Sequence, residues 1–256
     1  MALASSDAPV RWLFLATLPG SGSTLLADLL CRHCGAGQLA PRAEGQWLVP
    51  DLARPGSRWD PDWPPALDGV RRIWLDRFRE KTLSGSVLEK SPPNLCRMRR
   101  LMTAFADMPQ TLVRLVRDPF AVCEGWARYP NETIFTDWAP GMEHVVTSKE
   151  QYWALLGDIC GKRMTMVRNL GDIAVHTVRY ERLVATPLQT LTDIAEHCPG
   201  LAPPETDRVD GVEDRNRTQL QSLEDGQKQA FAAGLRPYTG AVEDLGYSVD
   251  APLGQP

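Results

Sequence analysis

The stretch Arg11–Cys34, RWLFLATLPGSGSTLLADLLCRHC, decides how the chain folds. Arg11–Thr17 is a short apolar run bounded by a turn signal, the pattern of a buried strand. Pro19–Gly22 breaks the run, and Ser23–Cys34 resumes with Leu25, Leu26, Leu29 and Leu30 at helical spacing. A strand, a glycine-rich turn and a helix in this order make an anion cradle. Gly20 and Gly22 permit unusual dihedrals and close approach. The helix start offers unpaired N–H groups and the positive end of its dipole, and Ser21, Ser23 and Thr24 add hydroxyls. The same residues also suit a plain turn with a Ser/Thr cap. The loop has no lysine, so it departs from the Gly-Lys-Ser/Thr pattern of nucleotide triphosphatases. Leu25 stands where a dinucleotide fingerprint places its third glycine.

Outward from this unit, strand and helix patterns alternate. Gly69–Arg79 reads as a helix, Ser86–Leu88 as a second strand, and Asn94 as the cap of a helix to about Ala106. Thr111–Val116 is a third strand, followed by a helix opened by Asp118-Pro119 and running to about Arg128. Glu143–Cys160 is expected to be a long helix, Ile173–Val178 a fourth strand and Pro187–Cys198 a helix. Residues 202–222 read as irregular, and Glu224–Leu245 as helical with a break near Pro237. The alternation predicts an α/β, three-layer fold with a mainly parallel central sheet flanked by helices. One domain accounts for 1–256, with 1–10 expected to be flexible and 35–69, rich in Pro, Gly and Trp, a lid or acceptor-binding excursion.

Composition narrows the function. The 256 residues carry a formal charge of -4 and are 43% hydrophobic, which suits an ordinary core and argues against broad nucleic-acid binding. Apolar runs fall short of the roughly 18–20 residues that span a bilayer, and the start lacks the pattern of a secretory leader. Membrane insertion is therefore not expected, and the expected location is cytoplasmic. Six cysteines are scattered in a chain long enough to fold without them, so free thiols are expected, including the Cys31/Cys34 pair. No His/Cys/Asp set has metal-ligand spacing, and no metal is expected. The sequence leaves the oligomeric state open.

A second anion signal lies in Val113–Pro119. Arg117 follows the third strand at its carboxyl end, where ligands bind in parallel sheets, and its planar fork suits a phosphate. A surface ion pair with Asp118 or Glu124 is the alternative use.

With these segments in place, the sequence resembles the sulfotransferases that use 3′-phosphoadenylyl sulfate. The loop Pro19–Leu26 resembles the family's 5′-phosphosulfate loop. Glu89-Lys90-Ser91-Pro92-Pro93-Asn94-Leu95, Leu115–Val122 and Val178–Val184 resemble three further family segments in the same order, and Leu245-Gly246-Tyr247 a fourth. The resemblance implies a P-loop-like fold and sulfuryl transfer to an acceptor hydroxyl, with release of adenosine 3′,5′-bisphosphate. It assigns Ser21, Gly22, Ser23 and Thr24 to the phosphosulfate, Lys90 to the transferring group, Arg117 to the 3′-phosphate and Tyr180 to the adenine side. Gly20 stands where the family commonly has Arg or Lys, and Gly125 where it commonly has serine; each change removes a donor. Glu44, in Glu44–Pro50, faintly resembles the base-containing loop of tyrosylprotein sulfotransferases and is the first candidate for the general base. The acceptor is left among small molecules, saccharides and peptide tyrosines. A nucleotide-dependent kinase and a catalytically weak nucleotide-binding protein are the alternatives.

Overall fold

The computed structural model describes residues 11–81, 83 and 85–252. The expected flexibility of 1–10 lies outside the described residues. Five strands form one parallel sheet in the order β2-β3-β1-β4-β5: β1 Arg11–Thr17, β2 Gly37–Gln38, β3 Ser86–Glu89, β4 Gln110–Val116 and β5 His176–Arg179. The α/β, P-loop-like three-layer fold with a parallel sheet is therefore the one the molecule adopts.

The side-chain alternation of β1 divides the core into two layers. Trp12, Phe14 and Ala16 enter one cluster with Trp74, Phe105 and the apolar sides of the helices Pro119–Trp126 and Lys149–Arg168. Leu13 and Leu15 enter the other with Leu26, Leu29 and Leu30 of the helix Ser23–His33 and with Leu191 and Ile194 of the helix Pro187–His197. Trp12 and Phe105, 4.6 Å apart by ring centroids, anchor an aromatic group with Phe14 and Trp74. Buried rings of this size are each worth about 3–5 kcal/mol by truncation. β1 lies between β3 and β4, so connections leave it toward both halves of the sheet. Its carboxyl end is thus the switch point at which such sheets bind ligands.

Several boundaries differ from the sequence reading, each for a local reason. The long helix is Lys149–Arg168 rather than 143–160, because Ser148 caps it by accepting from the Gln151 N–H at 3.1 Å. Asn94 lies inside a 3₁₀ turn, Pro92–Arg97, and the helix proper begins at Met98; its side chain serves Glu89 and Arg97 instead of a helix end. The fourth predicted strand begins later, at His176, and ends at Arg179, and Tyr180 opens the short helix Tyr180–Ala185. Within 202–222, Asn216–Gln221 is helical. All six cysteines are free, with Cys34, Cys123, Cys160 and Cys198 buried.

Candidate active site

The glycine-rich loop takes the shape its residues permit. Gly20 and Gly22 have φ of 77° and 88°, and Gly22 is the left-handed cap of the first helix. A Cβ on Gly22 would stand 2.5 Å from Tyr180 Cδ2, so only glycine fits against that ring. The Ser21 hydroxyl is buried without a hydrogen-bond partner among the described residues. A buried orphan hydroxyl is costly unless something else binds it, and here it sits in a turn at a helix N-terminus. The loop thus fits an anionic phosphate group. Trp126 supports it from below, donating from Nε1 to the Pro19 carbonyl at 2.8 Å.

Beside the loop, two distant segments are strapped together. The Lys90 N–H donates to the Ala43 carbonyl, the Gly45 N–H to Glu89 Oε2, and the Gln46 N–H to Ser91 Oγ. A Cβ on Gly45 would meet Glu89 Oε2 at 2.5 Å, which explains the glycine after Glu44. The strap places Glu44 against Lys90. Lys90 Nζ, 1% exposed, donates to Glu44 Oε1 at 2.6 Å and to Thr24 Oγ1 at 3.0 Å. Glu44 Oε2 accepts from Trp47 Nε1 at 2.8 Å and from Gln46 Nε2 at 3.3 Å. Burial works to raise the Glu44 carboxyl, but the hydrogen bond and charge of Lys90, with the Trp47 and Gln46 donors, outweigh it and hold the group below its ordinary range. Glu44, Lys90, Ser23 and Thr24 line one cleft of about 250 Å³ with Arg42, Arg58, Trp47, Trp59 and Trp138. Among the described residues no His/Cys/Asp/Glu cluster could hold a metal.

Glu89 behaves differently. It is fully enclosed, and burial pushes its carboxyl up to about 7 against the pull of its Ser91, Gly45 and Asn94 hydrogen bonds. The folded state therefore holds this proton more tightly than the unfolded chain. Stability from the group is full below 4.5 and is lost as pH rises to about 7. Thermal midpoints of the wild type and Glu89→Gln, measured across that interval, are expected to converge as pH rises through it or to cross. A constant difference would show that Glu89 does not titrate there.

A second pocket, of about 300 Å³, opens on the other side of Thr24 and is lined by Gly22, Arg117, Tyr180, Glu213 and Arg215. Arg117 lies over the Tyr180 ring, 4.0 Å from its centroid. It donates to the Gly20 carbonyl at 2.8 Å, to Asn216 Oδ1 at 2.7 Å and to Gln219 Oε1. All three of these partners are neutral oxygens. Asp118 caps the following helix, and Glu124 pairs with Arg128. A Cβ on Gly125 would stand 3.3 Å from Gln219 Nε2, a tight contact with the end of that flexible side chain. Glu181 joins the parts of this region, accepting from the Asp118 N–H, Asn216 Nδ2 and the Tyr247 hydroxyl.

The structure thus groups Gly20, Ser23, Thr24, Lys90 and Glu44 around the first cleft, and Gly22, Thr24, Arg117 and Tyr180 around the second pocket, with Ser21 buried in the turn and Gly125 against Gln219. Asn216, Gln219 and Arg58 were not singled out from the sequence. The polar string NRTQLQ gave no signal for the first two, and Arg58 lies in an excursion with no periodicity.

A family model described as the sulfotransferase family matches residues 60–203. The chain belongs to the sulfotransferase family. The match takes in Lys90, Arg117 and Tyr180 but starts after the glycine-rich loop. No curated relative matches the chain. Among solved structures, a sulfotransferase from Alicyclobacillus acidocaldarius superposes with a TM-score of 0.51 at 15% identity, over 91% of this chain and 94% of that one. The sulfotransferase domain of the Synechococcus PCC 7002 olefin synthase gives 0.45 at 20% identity, over 89% and 95%. At such identities the likeness to the first is one of fold. The sulfotransferase is thus an enzyme of sulfuryl transfer, and none of its described helices is long and apolar enough to cross a membrane.

Proposed function

We propose that this sulfotransferase moves the sulfuryl group of 3′-phosphoadenylyl sulfate to an acceptor hydroxyl in the cleft beside Lys90, releasing adenosine 3′,5′-bisphosphate. The observation that carries the reading is the bridge made by Lys90 Nζ between Thr24 of the loop and the Glu44 carboxylate. The Ser21–Thr24 amides and hydroxyls hold the 5′-phosphosulfate. Lys90 offsets negative charge on the transferring group and the leaving oxygen, a kind of fixed stabilisation worth roughly 3–4 kcal/mol where it has been removed elsewhere. An S–O bond forms to the acceptor oxygen as the S–O bond to phosphate breaks, the electron pair leaves with the phosphate, and Glu44 takes the acceptor's proton. Arg117 reads the 3′-phosphate, with Tyr180 toward the base. Gln219, seated in the room left by Gly125, brings an amide where the family's serine is missing.

Calorimetry tests the nucleotide directly: adenosine 3′,5′-bisphosphate should bind well and adenosine 5′-phosphate poorly, and equal or absent binding of both would reject the assignment. Arg117→Ala should narrow that preference by about 1.5–3 kcal/mol, roughly 10- to 150-fold. Some loss is expected for both ligands, because Arg117 also holds the Gly20 carbonyl. An unchanged ratio in a folded variant would remove Arg117 from the 3′-phosphate. Phosphorylated product from ATP and magnesium would favour a kinase instead.

A further inference from the structure

Next to the cleft lies a chamber of about 410 Å³ whose walls include Met142, Leu155, Ile159 and Met166, with Asp158 and Lys162 also lining it. Trp59 and Trp138 line both spaces, so the chamber and the Lys90–Glu44 cleft share an indole wall. At the chamber's side sits Arg163, 3% exposed. Its guanidinium carbon lies 3.6 Å from the Trp59 ring centroid, 4.1 Å from Trp138 and 5.0 Å from Trp126. The carboxylates nearby are already engaged. Asp137 pairs with Arg58 at 2.8 Å, while Asp158 pairs with Lys162 at 2.7 Å and accepts from the Tyr238 hydroxyl. Arg163 Nη1 is buried with no hydrogen-bond partner among the described residues. Burial pulls this group down to about 9, which leaves it charged at neutral pH. Indole faces attract such a cation, but they do not replace hydrogen bonds to a guanidinium taken out of water. An anion supplied from the chamber would meet that need.

We propose that the chamber is the distal part of the acceptor site and that Arg163 selects an apolar acceptor carrying a carboxylate, making the substrate class a hydroxy acid. This rests on the reading of the cleft as the acceptor site. The reactive hydroxyl lies at Glu44, the apolar body passes the Trp59–Trp138 wall, and the carboxylate meets Arg163. A site whose buried polar group expects a partner rejects analogues that lack it more strongly than a purely apolar pocket does.

Matched ten-carbon probes test it: 10-hydroxydecanoate against 1,10-decanediol, with binding followed by calorimetry and indole fluorescence, without donor. The wild type is expected to bind the acid at least about tenfold more tightly. Arg163→Met should bring the ratio close to one while adenosine 3′,5′-bisphosphate still binds. Should that variant not fold, Met142→Glu, which sets a carboxylate in the half-buried chamber wall, should penalise the acid and spare the diol. Equal binding of the two probes by the wild type, or a preference that survives both substitutions, would overturn the proposal. Sulfated product is then measured with 3′-phosphoadenylyl sulfate. Product from the diol with no preference for the acid sinks the hydroxy-acid assignment alone. Arg163-dependent binding of the acid without any sulfated product sinks the catalytic reading alone.

Discussion

Lys90→Met is expected to slow single-turnover sulfuryl transfer by about 10²–10³-fold with donor and acceptor saturating, the loss seen when one fixed donor to a developing charge is removed. Adenosine 3′,5′-bisphosphate should bind nearly as before, since the loop hydroxyls, its amides and Arg117 remain. The reason lies in what Lys90 touches. Its ammonium spans the loop hydroxyl and the Glu44 carboxylate, and it is buried where water screens little. Methionine keeps most of the volume but leaves Glu44 without its cation. Burial would then raise the Glu44 carboxyl, so residual turnover should increase with pH as the group ionises. The double variant Lys90→Met/Glu44→Gln should lose that rise with pH, and its total loss should be smaller than the product of the two single losses, because two members of one unit are not additive. Unchanged turnover in Lys90→Met would reject the role. A loss confined to donor binding would make Lys90 a ground-state contact.

Much of the framework could be read from the chain because its signals are local. β1 alternates between two cores, Gly20 and Gly22 mark a turn that needs positive φ, and Asp118-Pro119 opens a helix by side-chain capping. The parts that escaped depend on distant contacts. Arg117 finds Asn216 and Gln219 about a hundred residues on, in a short polar helix held by tertiary packing. The two-residue strand β2 has no apolar period to betray it. The tryptophans around Arg163 come from three separate segments, and tryptophan content alone says nothing of a shared cation. Glu44 and Lys90 were each suggested by their own segment. Their contact depends on the strap in which Glu89, Ser91 and the Lys90 N–H hold the Glu44 loop in place.

Glu44→Gln separates proton transfer from donor binding. The variant should bind adenosine 3′,5′-bisphosphate close to normally, yet lose turnover by about 10²–10⁴-fold, the usual worth of a positioned base. The amide keeps the volume but cannot keep all the contacts, since one oxygen must choose between Lys90 Nζ and the Trp47 indole N–H. Trp47→Phe isolates that orienting bond and should cost about 0.5–1.5 kcal/mol of transition-state stabilisation, roughly 2- to 13-fold in rate. The pH profile distinguishes Glu44 from its neighbour. Lys90 holds Glu44 below its ordinary 4.5, so as acid is added the wild-type rate governed by this base should persist until below that value. An acid limb near 7 would instead point to Glu89, which fastens the loop and whose carboxyl burial pushes up to about 7. Turnover of Glu44→Gln equal to the wild type across the pH range would exclude Glu44 as the base. With the carboxylate excluded, the acceptor's proton would pass to an oxygen of the donor itself, because the other charged groups lining the cleft, Lys90, Arg42 and Arg58, are cations with no electron pair to accept it.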